Sequence, residues 1–149
     1  MLAVVQRVTG AEVKVDGERV TRIGRGLVAF VGVEKGDGEE ETGYLASKLS
    51  GLRIFPDAEE RMNLCLEEVE GELLLVPNFT VAGDCRKGRR PSFDRAAAPE
   101  EAEALLQRLG SLCQQGGVEV RWGAFGKRME VLVENDGPVT VLIDTSRRL

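Results

Sequence analysis

The chain has 149 residues, is 42% hydrophobic and carries a formal net charge of −5. It is long enough to bury one sizeable core and too short to make a second one expected. The acidic balance argues against binding long nucleic acid through a global positive field, so any RNA contact has to be local. Histidine is absent, and Cys65, Cys85 and Cys113 are scattered without a C-x-x-C pair. This removes the usual zinc ligand set, the Ser-His and Cys-His nucleophile pairs, and the side chain that most often serves as general base near neutral pH. An odd number of dispersed thiols reads as reduced, core-filling cysteine of the cytoplasm. With no charged leader and no run near eighteen apolar residues, the expectation is a soluble, cytoplasmic protein without a membrane partner.

Leu2 to Val8 and Ala11 to Asp16 read as two strands, the second alternating Val13 and Val15 with Glu12 and Lys14. Gly17 and Glu18 turn the chain into ERVTRI. Gly24 and Gly26 then lead into GLVAFVGVE, an apolar run suited to a strand buried on both faces. Glu39 to Leu49 predicts a helix with acids in its first turn and Leu45, Ala46 and Leu49 on one side, ended by Gly51. Leu52 to Phe55 is expected as a short strand, PDAEERMN as a polar loop, and LCLEEV with ELLLV as a hairpin turning at Glu70 and Gly71. A second helix starts at Pro99 and repeats Ala102, Leu105, Leu106, Leu109, Leu112 and Cys113 before Gly116 and Gly117 stop it. VEVRW, MEVLVE and VTVLID close the chain as strands. Without a repeat, linker or low-complexity tract, residues 1–149 are expected to form one mixed α/β domain, strands in the majority, with two helices packed on the sheet.

Two stretches could carry chemistry. Between MEVLVE and VTVLID, Asn135, Asp136 and Gly137 are ordinary turn residues and Pro138 can start a strand, so a plain hairpin turn explains the break. The alternative is a Gly137–Pro138 step held rigidly between strands with its carbonyl oxygens turned outward; a cis bond is open to it, and composition does not establish one. In VPNFTVAGDCRKGRRPSF, a buried strand delivers Asn78, Phe79 and Thr80 and runs directly into Arg86, Lys87, Arg89 and Arg90. These cations suit a phosphate-contacting loop, and also the commoner case of a solvated surface loop. Thr80 has the hydroxyl of a nucleophile, yet no residue at a telling spacing would activate it, and a threonine in a strand needs no such role.

Taken together, AVVQRV, GLVAFVGVEKGD, LRIFPD with RMN, NFTVAGD, KGRRPSF and NDGPVT, in this order from end to end, resemble the D-aminoacyl-tRNA deacylases, also known as D-tyrosyl-tRNA deacylases. The resemblance implies a compact domain of mixed, mostly antiparallel, barrel-like sheet with two main helices. It further implies a homodimer with active sites at the subunit interface, hydrolysing the ester between a D-amino acid and the tRNA 3′ end with neither cofactor nor metal. By the same resemblance Gly137 and Pro138 form a cis peptide that reaches the partner's pocket. There, main-chain oxygens hold the substrate α-amino group and leave no room for an L side chain, so glycyl-tRNA is an expected second substrate.

Arg7 corresponds to the arginine that braces this element. Asn78, Phe79 and Thr80 correspond to a strand whose backbone N–H groups face the scissile carbonyl. Phe125 lies in the adenine pocket or the core, Arg86, Lys87, Arg89 and Arg90 contact the tRNA, and the 2′-hydroxyl of the terminal adenosine activates water. Where the family usually shows Ser and Gln this chain has Pro77 and Asn78, a missing donor and a shorter amide. That departure keeps open a second reading, a module that binds the tRNA acceptor end with little or no turnover.

Overall fold

The computed structural model describes residues 1–147. The chain runs through β1 (Leu2–Val15), β2 (Glu18–Ile23), β3 (Gly26–Gly32), α1 (Glu39–Gly51), β4 (Phe55–Pro56), β5 (Met62–Leu64), β6 (Glu72–Pro77), a 3-10 turn (Phe79–Ala82), α2 (Pro99–Gln115), β7 (Glu119–Trp122) and β8 (Glu130–Asp144). β1 is the axis of the main sheet. One of its edges pairs antiparallel with β8 along most of its length, and the other pairs antiparallel first with β3 and then with β2. β6 and β7 extend the sheet in parallel from β3. The result is a mixed, mostly antiparallel sheet that curls into a nearly closed, barrel-like α/β fold with both helices packed on one face.

The two strands expected at the N-terminus are one. Pairing with β8 slips between Val8 and Gly10, and because side chains alternate along a strand, a one-residue slip exchanges the faces. Ala3 and Val5 therefore enter the helix-covered cluster, whereas Ala11 and Val13 enter the cluster on the other face. β3 and β6 are buried on both faces, as their unbroken apolar runs require: Leu27, Ala29, Leu73 and Leu75 point one way, Val28, Leu74 and Val76 the other. α2 begins with Pro99 in its first turn and buries Leu106, Leu109 and Cys113. Among the described residues no helix is long and apolar enough to cross a membrane.

Several expectations need correction. LCLEEV and ELLLV do not form a hairpin: β6 lies between β3 and β7, parallel to both. Residues 65–70 coil into a turn because the Glu68 carboxylate accepts the Cys65 N–H at 2.8 Å, and Leu66 plugs the core with no exposed surface. The strand expected at Leu52 to Phe55 shifts to Phe55–Pro56 and pairs with Met62–Leu64, which spans the end of the expected loop and the first residue of LCLEEV. The Asp57 carboxylate nucleates the intervening turn by accepting the N–H groups of Glu59 and Arg61. Of the cysteines only Cys113 is core filling, its thiol pushed up to about 11 by burial against a weaker opposing hydrogen bond with Ser50. Cys65 is half-buried and Cys85 is exposed.

Candidate active site

MEVLVE and VTVLID are not two arms of a hairpin. Both halves of β8 pair with β1, Asn135 opposite Val8 and Thr140 opposite Gln6, so residues 136–139 bulge out opposite Arg7 alone. The Gly137–Pro138 peptide is cis, and both residues are exposed.

Arg7 supports this bulge from beneath. Its Nη1 donates to the Ile54 carbonyl at 2.6 Å, and its Nε lies 2.9 Å from Asp136 Oδ2, a close ion pair without hydrogen-bond alignment. Gly137 sits at φ +120°, and a Cβ there would fall 2.7 Å from Val139 Cγ2 and 3.1 Å from Arg7 Nη2. Asn135, which sequence reasoning took for a turn former, clamps the base of the bulge: its Nδ2 donates to the carbonyls of Arg7 and Val139, each at 3.0 Å. The only signal for Asn135 and Asp136 was their position beside Gly137.

The second element follows β6. Phe79 and Thr80 lie on a 3-10 turn, which corrects both the strand expected there and the reading of Thr80 as a strand residue. Asn78 caps the turn, with Oδ1 accepting the Thr80 N–H at 3.2 Å and the Thr80 hydroxyl at 2.5 Å. The Thr80 N–H and hydroxyl are therefore both turned to Asn78. Phe79, as first residue of the turn, has an N–H with no acceptor inside it. Its ring is 59% exposed and meets Phe93 edge-on at 5.2 Å.

Pro77 is the last residue of β6. The Gly123 N–H donates to the Leu75 carbonyl, so odd-numbered groups of β6 face β7, which has already ended at Trp122. Pro77 therefore stands beside Gly123, where the ladder ends, and offers it no donor.

Beside the turn opens a cavity of about 650 Å³, walled by Val31, Val33, Ala97 and Leu106 and edged by Asn78, Phe79, Phe125 and Lys127. Phe125 both lines the cavity and packs on the helix-covered core. Asn78, Phe79 and Phe125 thus come together at the cavity, with Thr80 held next to Asn78 on the turn, whereas Gly137, Pro138 and Arg7 do not line this cavity in the same chain.

The basic stretch is a loop closed by paired backbone hydrogen bonds between Asp84 and Ser92, at 2.7 and 2.9 Å. Arg86 is folded back onto Asp84 through Nε and Nη2, holding that carboxyl far below the usual carboxylate range and raising its own pKa. Lys87, Arg89 and Arg90 are exposed and, among the described residues, have no ion-pair partner. The Phe79–Phe93 contact seats the loop next to the turn. Among the described residues no group of three or more Cys, Asp and Glu side chains is placed to hold a metal ion.

A family model described as D-Tyr-tRNA(Tyr) deacylase matches residues 4–144. The chain belongs to this family. The D-aminoacyl-tRNA deacylase of Geobacter sulfurreducens is 51% identical over 148 residues, covering 99% of this chain and 97% of its own length. That of Carboxydothermus hydrogenoformans is 52% identical over 144 residues, covering 97% and 99%. Among solved structures, the c-Myc DNA Unwinding Element Binding Protein superposes with a TM-score of 0.90 at 33% identity, covering 97% of this chain and 98% of that one. The family match includes the bulge, the capped turn and the loop between them, so all the residues singled out in the sequence fall inside it.

Proposed function

We infer that this chain hydrolyses the ester of D-aminoacyl-tRNA, releasing the free D-amino acid and tRNA, and that it does so in the cytoplasm as a chiral proofreader of translation. The observation that carries this reading is the near end-to-end match to the deacylase family, with an apolar cavity and an open backbone donor at the strand end where the ester would bind.

In this reading the terminal adenosine enters the cavity beside Phe125. The scissile carbonyl oxygen points to the Phe79 N–H, which stabilises the negative charge that develops as water attacks. The 2′-hydroxyl of the adenosine directs that water; the single bond between the carbonyl carbon and the 3′-oxygen breaks, and the leaving 3′-oxygen takes up the proton that the attacking water gives up. Thr80 supplies no nucleophile, because its hydroxyl donates to Asn78.

Gly137 and Pro138 are exposed and away from the cavity of their own chain, which suits the homodimer the resemblance implies, in which they act in the cavity of a second copy. There the carbonyl oxygens of the bulge receive the substrate α-amino group, and the bulge occupies the space an L side chain would need. Glycine has no side chain to reject, so glycyl-tRNA is a second substrate. The binding-only reading rests on Pro77 and Asn78, and the active reading is supported over it by relatives named D-aminoacyl-tRNA deacylase at about half identity across the chain. The test is direct. The purified protein is expected to release D-tyrosine from D-Tyr-tRNA while leaving L-Tyr-tRNA nearly intact, and equal loss of both esters would contradict the chiral reading.

A further inference from the structure

The chain carries 25 acidic and 20 basic residues, yet none of the residues lining the cavity is acidic and two of them, Lys127 and Arg128, are cations. Both are exposed, and among the described residues neither side chain has an ion-pair or hydrogen-bond partner. They sit on a structured turn between β7 and β8. The Gly123 N–H donates to the Leu75 carbonyl at 2.8 Å, the Ala124 N–H to Met129 Sδ at 3.2 Å and the Lys127 N–H to the Ala124 carbonyl at 3.3 Å. Gly126, at φ +69°, allows the reversal.

An unpaired cation on an open convex surface is ordinary. Two at the edge of an apolar, acid-free concavity concentrate positive potential there, because low-dielectric walls focus the field. The basic loop has meanwhile committed Arg86 to Asp84, so part of its charge is already spent within the protein.

We propose that Lys127 and Arg128 bind the phosphodiesters that join the last nucleotides of the acceptor strand. This rests on the functional reading above: with the terminal adenosine in the cavity, the phosphate on its 5′ side leaves along the edge where these two side chains stand. The contact is to backbone phosphate and carries no base readout, which suits an enzyme that reads the ester rather than the tRNA sequence.

The test compares wild type with the Lys127→Ala/Arg128→Ala double variant. In the first arm, fluorescence anisotropy follows binding of an uncharged acceptor-stem minihelix ending in CCA across a potassium chloride series. The variant is expected to bind about tenfold more weakly and to lose roughly 1 to 2 from the slope of log affinity against log salt. In the second arm, kcat/KM on D-Tyr-tRNA is expected to fall mainly through KM, while hydrolysis of D-tyrosyl-adenosine, which has no phosphate, stays at the wild-type rate. An unchanged minihelix affinity and slope overturns the proposal. Equal losses on both esters also overturn it, because they mark a role in the cavity's shape. If wild type hydrolyses neither ester, the deacylase reading falls while the binding arm still decides the phosphate contact.

Discussion

Two backbone elements stand on the surface of this chain, and they are held in opposite ways. The 3-10 turn at Phe79 is fixed from next door: Asn78, one residue before it, takes the Thr80 N–H and hydroxyl, and β6, buried from residue 73 to 76, leads directly into it. The bulge at Gly137 and Pro138 is fixed from across the chain, by an arginine on β1 that also reaches the Ile54 carbonyl, and by Asn135 bridging two carbonyls. A local cap holds one hydrogen-bond donor at a modest cost if lost. A brace built from distant elements holds a whole loop, so its loss spreads. The turn should therefore be sensitive at its backbone and tolerant at its side chains, whereas the bulge should be sensitive at both.

The largest effect is expected where the turn's open donor is removed. Proline is accommodated at the first helical position, so Phe79→Pro deletes that N–H with little change to the turn. Deacylation of D-Tyr-tRNA is expected to fall by roughly 10²–10³, the usual cost of one oxyanion donor, while Phe79→Ala, which keeps the N–H, loses far less. Similar rates for the two variants would show that the side chain matters and the backbone does not.

Next comes Gly137→Ala. The added Cβ meets Val139 and Arg7 in a conformation that L residues rarely adopt, so the bulge has to move. A displacement near 1 Å is expected to cost about a hundredfold on D-Tyr-tRNA and to narrow the D over L preference, with circular dichroism unchanged.

Arg7→Ala leaves the Ile54 carbonyl without its donor and Asp136 without its cation. Chemical denaturation is expected to show a loss of about 1–3 kcal/mol, accompanied by weaker chiral discrimination. Full stability would mean that the bulge holds itself. The smallest effects belong to the turn's side chains: Asn78→Ala is expected to cost about 1 kcal/mol as a lost cap, and Thr80→Ala to retain most of the activity. Abolition by Thr80→Ala, with the fold intact, would restore the hydroxyl as a nucleophile.

The same contrast explains what was legible in the sequence. The helices, the doubly buried β3 and β6, and the Pro99 start of α2 follow from periodicity and capping, which are local signals. The hairpin expected at Glu70 failed because the Glu68 cap and the buried Leu66 compete with strand pairing, and neither has a period-two signature. Local pattern could not tell the bulge from a turn for the same kind of reason. Asn135 and Gly137 look identical in a hairpin and in a bulge, and what separates them is the pairing of both flanks with one distant strand. Likewise the delivery of Phe79 by a buried strand was legible, but its place on a 3-10 turn and the capture of the Thr80 N–H by Asn78 needed coordinates. Family resemblance supplied the expectation that a second copy receives the Gly137–Pro138 step, which no local pattern could.

The central claim is that a turn from one chain and a bulge from another build one site, and mixing lesions tests it most directly. Phe79→Pro and Gly137→Ala chains, each defective alone, would be co-expressed and assayed on D-Tyr-tRNA. If the site is shared, every mixed dimer holds one site with both lesions and one with none, and random assortment in a symmetric dimer restores about one quarter of wild-type activity. No recovery above the two separate variants would place turn and bulge in the same chain's site and contradict the account.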